Sequence, residues 1–217
     1  MYIVACGPFA AGKTSVTKLL SSEFGWQIIC EDLRSNPYFA GYYAEPPKWA
    51  FHVAVAFLVR AMESQRAVAL QLSRASVCQD WFVLEHHSVY NVLMHHTGLL
   101  SSDEFDTCAR LHSELLSRAV IPDLVLYVTA APDVLLDRVS NRRRQEEASV
   151  TLEYIAELVS LYESWVQTLD YPTLRIDTEN FDFVADPVAQ QTVLAAVRRW
   201  ATNNFDQHGR QSLQLPI

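Results

Sequence analysis

The sequence predicts a three-layer α/β domain in which helices cover both faces of a parallel sheet of five strands. Short apolar runs alternate with longer amphipathic segments along the chain, which is typical of strands joined by crossover helices. A glycine-rich turn follows the first apolar run, and 217 residues, 50% of them hydrophobic, suffice for a sizeable core. We expect a single domain over residues 1–203 and a polar tail over residues 204–217.

Each strand is predicted from a short apolar run that ends in turn-forming or polar residues. The strands are expected at Tyr2–Cys6, Trp26–Cys30, Ala75–Gln79, Leu124–Val128 and Leu174–Asp177. Helices are expected after the glycine-rich turn, over about 49–74, 83–97 and 102–118, from about 133, and over about 151–169 and 187–200. The aromatic-rich segment before residue 46 is expected to be a loop.

The long helix over 49–74 has apolar residues almost all the way round its first turns. A helix at the surface of a globular domain normally shows only one apolar stripe. The pattern therefore predicts burial on more than one side and suggests a homodimer.

The glycine-rich turn, residues 7–15, fits the phosphate-binding pattern G-x-x-x-x-G-K-[ST]. In such a loop the backbone N–H groups cradle the phosphates, the lysine adds positive charge, and the hydroxyl meets Mg²⁺. Lys13 and Thr14 take the last two roles here. The residues expected to contact the nucleotide are Gly7, Ala10, Ala11, Gly12, Lys13, Thr14 and Ser15.

Two carboxylates follow predicted strands, Glu31 after the second and Asp80 after the third. Open parallel sheets bind ligands at the carboxyl ends of their strands, so both should lie at the same edge as the glycine-rich turn. Asp80 is suited to hold Mg²⁺, directly or through water. Glu31, taken alone, fits either a catalytic base or the cap of a turn.

A basic cluster, Arg138, Arg142, Arg143 and Arg144, lies in the helix that begins at about 133 and just beyond it. Such a run is usually a solvated charged face. The phosphate-binding loop favours the other reading, in which these arginines grip an anion.

Composition limits the classes of partner. A formal charge of −8 opposes a nucleic-acid partner, which would require a basic face. No apolar run reaches the ~20 residues of a membrane span, and no secretory signal pattern is present, so we expect a cytoplasmic protein without a membrane partner. The cysteines lack C-x-x-C spacing, and adjacent histidines such as His86 and His87 point to different faces of a helix, so zinc is not predicted.

The order of these motifs resembles the deoxynucleoside kinase family, and most closely its bacterial deoxyadenosine/deoxyguanosine kinase branch. The likeness runs from the phosphate-binding loop to about residue 200. The motifs that carry it are Asn36-Pro37-Tyr38, Trp49-Ala50-Phe51-His52, Gln79-Asp80, Arg138 to Glu147, Leu152-Glu153-Tyr154, Ile176-Asp177-Thr178 and Asp182-Phe183-Val184.

The resemblance implies a P-loop kinase fold, a homodimer, and transfer of a phosphoryl group from ATP, with Mg²⁺, to the 5′-hydroxyl of a nucleoside-like substrate. It implies that Glu31 is the general base and that Asp80 lies near Mg²⁺. The remaining roles it implies are sugar 3′-hydroxyl binding by Tyr43 and Glu147, a triphosphate lid of Arg138, Arg142 and Arg144, and proximity of Asp182 and Phe183 to the adenine of ATP.

The chain departs from the family pattern on the acceptor side. Trp81 stands where the family has an arginine, and Ala54 where it has a base-binding glutamine. Ala61 and His86 replace an arginine–aspartate pair, and Arg143 replaces a glycine of the lid. The donor half is therefore expected to be intact and the acceptor half altered, with Ala54, Trp81 and His86 facing the substrate. A kinase of another small-molecule alcohol and a nucleotide-binding subunit with little turnover are the alternatives.

Overall fold

The structure of the protein is a computed structural model that describes residues 1–30, 35–142, 144, 147 and 149–205. Its centre is a sheet of five strands, all parallel, in the order β2-β3-β1-β4-β5. The strands are β1 (Tyr2–Cys6), β2 (Gln27–Cys30), β3 (Val77–Asp80), β4 (Leu124–Thr129) and β5 (Thr173–Asp177). Each lies within two residues of its predicted position, which confirms the predicted parallel sheet.

The register brings the end of β3 beside the start of the phosphate-binding loop. Asp80 pairs with Ala5 of β1 on one side and with Cys30 of β2 on the other. The predicted strand ends therefore do meet at one edge of the sheet. Glu31, the residue after Cys30, lies outside the described residues.

The helices of the described residues cover both faces of the sheet. They are α1 (Lys13–Phe24), α2 (Phe39–Ala44), α3 (Pro46–Leu72), a π-helical segment (His86–Asn91) continued by α4 (Val92–His96), α5 (Ser102–Leu116), α6 (Pro132–Arg142), α7 (Leu152–Val166) and α8 (Pro187–Phe205).

Alternate side chains of β1 enter two separate cores, because successive residues of a strand point to opposite faces. Ile3 and Ala5 pack in a cluster with residues of α1, α6 and α8. Tyr2 and Val4 pack in a second cluster with residues of α3 and α7. The sheet is thus the middle layer of three, as predicted.

Several element boundaries differ from the predictions. The aromatic segment expected to be a loop contains α2, and α3 begins at Pro46, where proline fits the first helical turn. The helix expected from residue 83 is wrong at its start, because Phe82 to Leu84 form a turn before the π-helical segment.

The last helix, α8, continues through residue 205. We had expected it to end near residue 200. Ala201 is buried and extends the packed face beyond that point, and the polar residues after it cost a helix little. The first two residues of the predicted tail, 204 and 205, therefore belong to α8, and residues 206–217 lie outside the described part of the chain.

Within the described residues, no helix is both long enough and apolar enough to cross a membrane. All four cysteines are free, and Cys6, Cys78 and Cys108 are buried.

Candidate active site

The phosphate-binding loop has the strained backbone that its glycines permit. Gly7 and Gly12 have φ angles of 136° and 111°, in a region that L side chains rarely adopt. A Cβ on Gly7 would overlap the backbone carbonyl oxygen of Val128. Only glycine fits this position, and the loop therefore passes close to the end of β4. Ala10, at φ 65°, also adopts the left-handed conformation. Because it has a side chain, this conformation costs roughly 1–2 kcal/mol.

Lys13 begins α1 and folds back over its own loop. Its Nζ donates hydrogen bonds to the carbonyl oxygens of Gly7, at 2.7 Å, and Pro8, at 3.1 Å. The ammonium group is therefore held beside the loop, and no carboxylate among the described residues pairs with it. Exchanging carbonyl oxygens for phosphate oxygens costs little, because a charged acceptor makes the stronger hydrogen bond.

Thr14 and Asp80, the two residues expected to hold Mg²⁺, meet across the site. The Thr14 hydroxyl donates a short hydrogen bond to the Asp80 carboxylate. Asp80 is largely buried at the end of β3, and Thr14 lies in the first turn of α1. A hydroxyl and one carboxylate are a donor set that suits Mg²⁺, which takes one or two carboxylates and completes its shell with phosphates and water. Among the described residues there is no cluster of three or more histidine, cysteine or acidic side chains for a metal.

Arg138 of α6 is linked to the phosphate-binding loop through Thr178. Its guanidinium donates to the Thr178 hydroxyl and carbonyl oxygens, both at 2.7 Å. Thr178 is buried, and its hydroxyl lies 3.2 Å from the Ala11 carbonyl oxygen and 3.0 Å from that of Thr129. The structure thus places Arg138 at the rim of the loop, and Thr178, to which the sequence analysis gave no role, orients it.

Glu147 pairs with the other two predicted lid arginines. Arg142 donates to both of its carboxylate oxygens, at 2.8 and 2.7 Å, and Arg144 lies 3.6 Å from one of them. The pairing brings together residues that the resemblance assigned to two different tasks, the lid and the sugar. Arg143, between them, lies outside the described residues.

Asp182 and Phe183 lie in the loop between β5 and α8. The Asp182 carboxylate accepts the backbone N–H groups of Val184, at 2.9 Å, and Ala185, at 3.1 Å, and so closes a local turn. The Phe183 ring is buried in the core and is the side chain nearest to the position that a Cβ on Gly12 would take, at 3.3 Å. It therefore supports the phosphate-binding loop from the core side.

The predicted acceptor side is a wall of stacked aromatic rings. His86, in the π-helical segment, lies between Phe57 of α3 and Trp81, with ring centroids 4.5 and 4.1 Å away. All three are buried, as is Ala54, one helical turn before Phe57. The structure thus brings Trp81 and His86 together, whereas Ala54 packs in a separate cluster with Leu58 and Cys108. His86 is buried and is not a surface histidine.

Trp81 has a strained backbone and a buried donor. Its φ is 102°, rare for a residue with a side chain, while its backbone N–H donates to the Ala5 carbonyl oxygen at 3.0 Å. The indole Nε1 has no hydrogen-bond partner among the described residues. Strained residues of this kind concentrate at functional sites.

Two neighbouring positions of the expected base pocket do not supply the missing arginine. Ala61 is fully buried in α3. Arg60 lies near the surface, 3.3 Å from Glu63 one turn further along α3. Neither position therefore brings a guanidinium to this wall.

Helix α2 closes the acceptor side above the wall. Tyr43 packs edge-on against Phe39 at 5.1 Å and Tyr42 at 5.5 Å. Burial, with Tyr42 and Tyr43 nearby, raises the pKa of Tyr154 in α7. Tyr154 in turn stacks on Phe9 of the phosphate-binding loop at 6.2 Å. This chain of rings joins the acceptor side to the donor loop.

The sequence analysis overlooked Glu85. This carboxylate is fully buried, and it accepts the backbone N–H of Gly7 at 3.1 Å, the N–H of Phe82 at 3.0 Å and the hydroxyl of Tyr162 at 2.7 Å. Burial raises the pKa of Glu85 to about 7, against the lowering effect of Lys13. The sequence did contain a signal, because Glu85 is a lone carboxylate at the end of the apolar run 81–84. A carboxylate is rarely buried unless it has a partner, so its position in an apolar segment indicates such a partner.

A histidine pair behind the wall, the buried His112 and the half-buried His87, was also missed. His87 and His112 have ring centroids 5.1 Å apart, and burial lowers the pKa of both, that of His112 to about 4 with His87 and His86 adding to the effect. Both rings are therefore neutral at pH 7.

Comparison with known proteins agrees with this arrangement. The profile of the deoxynucleoside kinase family matches residues 3–201. The chain is 30% identical over 205 residues to a deoxyguanosine kinase of Lactobacillus johnsonii, covering 88% of each chain. It is 24% identical over 187 residues to a deoxyadenosine/deoxycytidine kinase of Bacillus subtilis, covering 85% of each.

The structure shares its fold with a deoxyadenosine kinase from M. mycoides solved with bound dCTP. The two superpose with a TM-score of 0.79 at 20% identity, over 92% of this chain and 100% of the other. The central sheet, the phosphate-binding loop and the match over residues 3–201 lead to one conclusion: the chain belongs to the deoxynucleoside kinase family and is a P-loop nucleoside kinase.

Proposed function

We propose that this kinase transfers the γ-phosphoryl group of ATP, with Mg²⁺, to the 5′-hydroxyl of a nucleoside-like acceptor whose base is recognised by an aromatic wall. The observation that carries the proposal is the complete donor side: Lys13 on the Gly7 carbonyl, and Thr14 against Asp80. Membership of the family supplies the reaction class, and it implies ATP as the donor. The acceptor, the metal and the site roles are the parts proposed here.

On the donor side, Lys13 would leave the loop carbonyls for the β- and γ-phosphates, and the backbone N–H groups of the loop would hold the same oxygens. Thr14 and Asp80 would hold Mg²⁺. Bound there, the ion would neutralise charge on the β- and γ-phosphate oxygens. Arg138, already at the rim of the loop, would stabilise charge on the transferring group.

The lid proposal requires Glu147 to release an arginine. The guanidinium of Arg142 is paired with this carboxylate, so Arg142 reaches a phosphate only if the pair opens. A sugar 3′-hydroxyl that donates to Glu147 would replace the arginine there. We therefore expect acceptor binding to free Arg142 for the triphosphate, with Tyr43 as the second contact to the sugar.

The proposed base is Glu31. A carboxylate in hydrogen-bond reach of the acceptor hydroxyl takes its proton as the oxygen attacks the γ-phosphorus. The register supports this role, because β2 ends at Cys30, which pairs with Asp80 at the edge of the sheet where the phosphates would bind.

The acceptor wall supports selection by stacking and shape. Phe57 and Trp81 present ring faces, and Ala54 makes no side-chain hydrogen bond. A site that lacks the hydrogen bonds of an ordinary base pocket discriminates weakly between polar base edges. We therefore expect a preference for a modified or less polar base over the common purine deoxynucleosides.

The decisive experiment is a coupled assay of ADP release with Mg·ATP over a panel of common and modified nucleosides. Glu31→Gln should abolish turnover with every acceptor, while Glu114→Gln, an exposed carboxylate on α5, should leave it unchanged. Turnover that survives Glu31→Gln at more than a tenth of the parent rate would contradict the role of Glu31.

The second candidate is a nucleotide-binding subunit with little turnover. The strained, buried Trp81 in place of the family's arginine favours it, because the indole carries no charge toward the reacting hydroxyl. Tight Mg·ATP binding with no ADP release over the whole panel, other small alcohols included, would support this candidate and contradict the kinase proposal.

We also propose that the protein acts in the cytoplasm as a homodimer formed through α3. The face of α3 away from the core exposes Val59 (50%) and Met62 (44%). Val59→Arg should convert the dimer into a monomer in sedimentation velocity, while Ile121→Arg, at another exposed apolar residue, should not. An unchanged sedimentation coefficient in Val59→Arg would contradict this interface.

A further inference from the structure

Glu85 joins three separate parts of the molecule through one carboxylate. Its Oε1 accepts the N–H of Phe82, in the turn after β3. Its Oε2 accepts both the N–H of Gly7, in the phosphate-binding loop, and the hydroxyl of Tyr162, in α7. The side chain is 0% exposed. No other described carboxylate makes a hydrogen bond to the phosphate-binding loop backbone in this structure.

The Gly7 peptide is thereby held from several sides. Its N–H is bonded to Glu85, and its carbonyl oxygen accepts the Lys13 ammonium at 2.7 Å. Behind it, the Val128 carbonyl leaves no room even for a methyl group. Gly7 therefore cannot shift without breaking one of these contacts, and the position of Lys13 depends on the same residue.

A purely structural role explains Glu85 poorly. Burying a carboxylate costs free energy, and well-packed apolar residues often do as well or better at such a position. In this protein the buried carboxylate holds the first residue of the loop that receives the phosphates. The next residue, His86, belongs to the acceptor wall, so a single stretch of backbone fixes both halves of the site.

We propose that Glu85 is a positioning residue for phosphoryl transfer, which holds the Gly7 peptide so that the loop and Lys13 are set to receive the phosphates of ATP. This inference rests on ATP binding to the loop, which is part of the proposed function. Glu85 itself does not touch the phosphates, because it lies behind the loop and on its buried side.

The test variant is Glu85→Gln. All three hydrogen bonds use a carboxylate oxygen as acceptor, so either orientation of the glutamine amide turns an NH₂ group toward at least one of the donors. Loss of a buried acceptor of this kind should raise the Kd of Mg·ATP by roughly tenfold to a hundredfold. The KM for the acceptor should change by less than about threefold, because the acceptor wall keeps its side chains.

The matched control is Glu163→Gln, the same substitution one residue from Tyr162. Glu163 pairs with Arg175 at 2.6 Å, and its side chain is 36% exposed. The Kd of Mg·ATP should be unchanged in this variant. Titration calorimetry of each variant, well below its melting temperature, separates weaker binding from a smaller folded fraction.

The outcomes distinguish the two proposals. A wild-type protein that binds no Mg·ATP would contradict the proposed function and the role of Glu85 with it. Wild-type binding, with an equal Kd in the folded Glu85→Gln variant, would overturn the role of Glu85 alone. A Kd raised for Mg·ATP but not for the acceptor would support it, since general structural damage would weaken both.

Amide exchange in the wild-type protein gives a second test that does not depend on how the variant folds. The Gly7 N–H, bonded to a fully buried carboxylate, should exchange as slowly as the amides of β1 and β4 when followed by NMR without nucleotide. Exchange of Gly7 at the rate of exposed loop amides would overturn the proposal.

Discussion

The donor and acceptor sides proposed for this site are built in different ways. On the donor side, backbone geometry and hydrogen bonds hold each group: Gly7 is bonded to Glu85, Lys13 to the loop carbonyls, and Thr14 to Asp80. On the acceptor side, the rings of Trp81 and His86 pack against each other at a tilt, and the Trp81 indole N–H has no partner among the described residues.

The difference teaches where each half gets its specificity. A phosphate cradle is largely made of backbone, so it tolerates few changes and looks alike wherever it occurs. A base pocket is made of side chains, so a few substitutions rewrite it while the fold stays the same. Mutations should therefore cost most on the donor side and least on the acceptor side.

The largest effect should come from Lys13→Met. Removing the one ammonium group held in the loop should lower kcat/KM for Mg·ATP by roughly 10²–10³-fold, the usual cost of losing a stabilising donor. Lys48→Met removes an equal charge from an exposed position and should have no effect in the same steady-state assay. A loss below tenfold in Lys13→Met would break the contrast between the two sides.

Gly7→Ala should be nearly as damaging, through stability. Its Cβ would overlap a backbone oxygen that cannot rotate away, so we expect the free energy of unfolding to fall by about 3 kcal/mol or more. Gly25→Ala is the control, because Gly25 also has a positive φ, 68°, but has open space where the Cβ would go. Its loss should stay near 1–2 kcal/mol in urea denaturation. Equal losses would show that φ, and not the contact, matters at Gly7.

A pH dependence should arise behind the acceptor wall, at His112. Burial, with His87 and His86 adding to it, lowers the folded-state pKa of His112 to about 4, below the usual value of 6.5. The stability that neutral His112 contributes is thus present above pH 6.5 and is lost as the pH falls toward 4. His112→Asn lacks this titration, so between pH 7 and pH 4.5 the wild type should lose about 2–3 kcal/mol more than the variant.

The comparison with the variant is needed because Glu85 acts in the opposite direction. Its folded-state pKa is raised to about 7, so its contribution is present at pH 4.5 and is lost as the pH rises through 7. Glu85 is unchanged in His112→Asn and cancels in the difference. Parallel stability curves for wild type and variant would show that His112 does not titrate as inferred.

The smallest effect should come from Trp81→Phe. The substitution removes a buried N–H that has no partner among the described residues, which offsets part of the lost packing, so stability should change by about 1 kcal/mol or less. Trp165→Phe removes the same atoms from a mostly buried position and should cost more, about 2 kcal/mol. If Trp81→Phe lowers the free energy of unfolding in urea as much as Trp165→Phe does, the Trp81 indole N–H has a partner such as a bound water.

Local patterns were sufficient for most of the fold. Hydrophobic periodicity located all five strands, because a buried parallel strand appears as a continuous apolar run wherever it occurs. The same reasoning started the following helix too early, because the run Phe82 to Leu84 is apolar. In the structure this run forms a turn, in which the Phe82 N–H donates a hydrogen bond to Glu85.

For the site, the sequence predicted the members better than their contacts. Thr14 and Asp80 were expected at one edge of the sheet, and they meet there. Arg142 and Glu147 were expected to serve different ligands, and they bind each other. Opposite charges five residues apart are free to pair in the absence of either ligand. Sequence spacing does not reveal whether each side chain binds the other or its ligand.

By itself, the sequence determined the α/β fold class, the phosphate-binding loop and the family, because each depends on residues that are neighbours along the chain. Only the tertiary structure decided that Glu85 holds Gly7, which lies 78 positions earlier in the chain, and that Trp81, His86 and Phe57 stack into one wall. Contacts of this kind depend on which faces of the sheet and helices meet. Burial then decides their energetics, by making an unpartnered polar group costly and a shared carboxylate worth keeping.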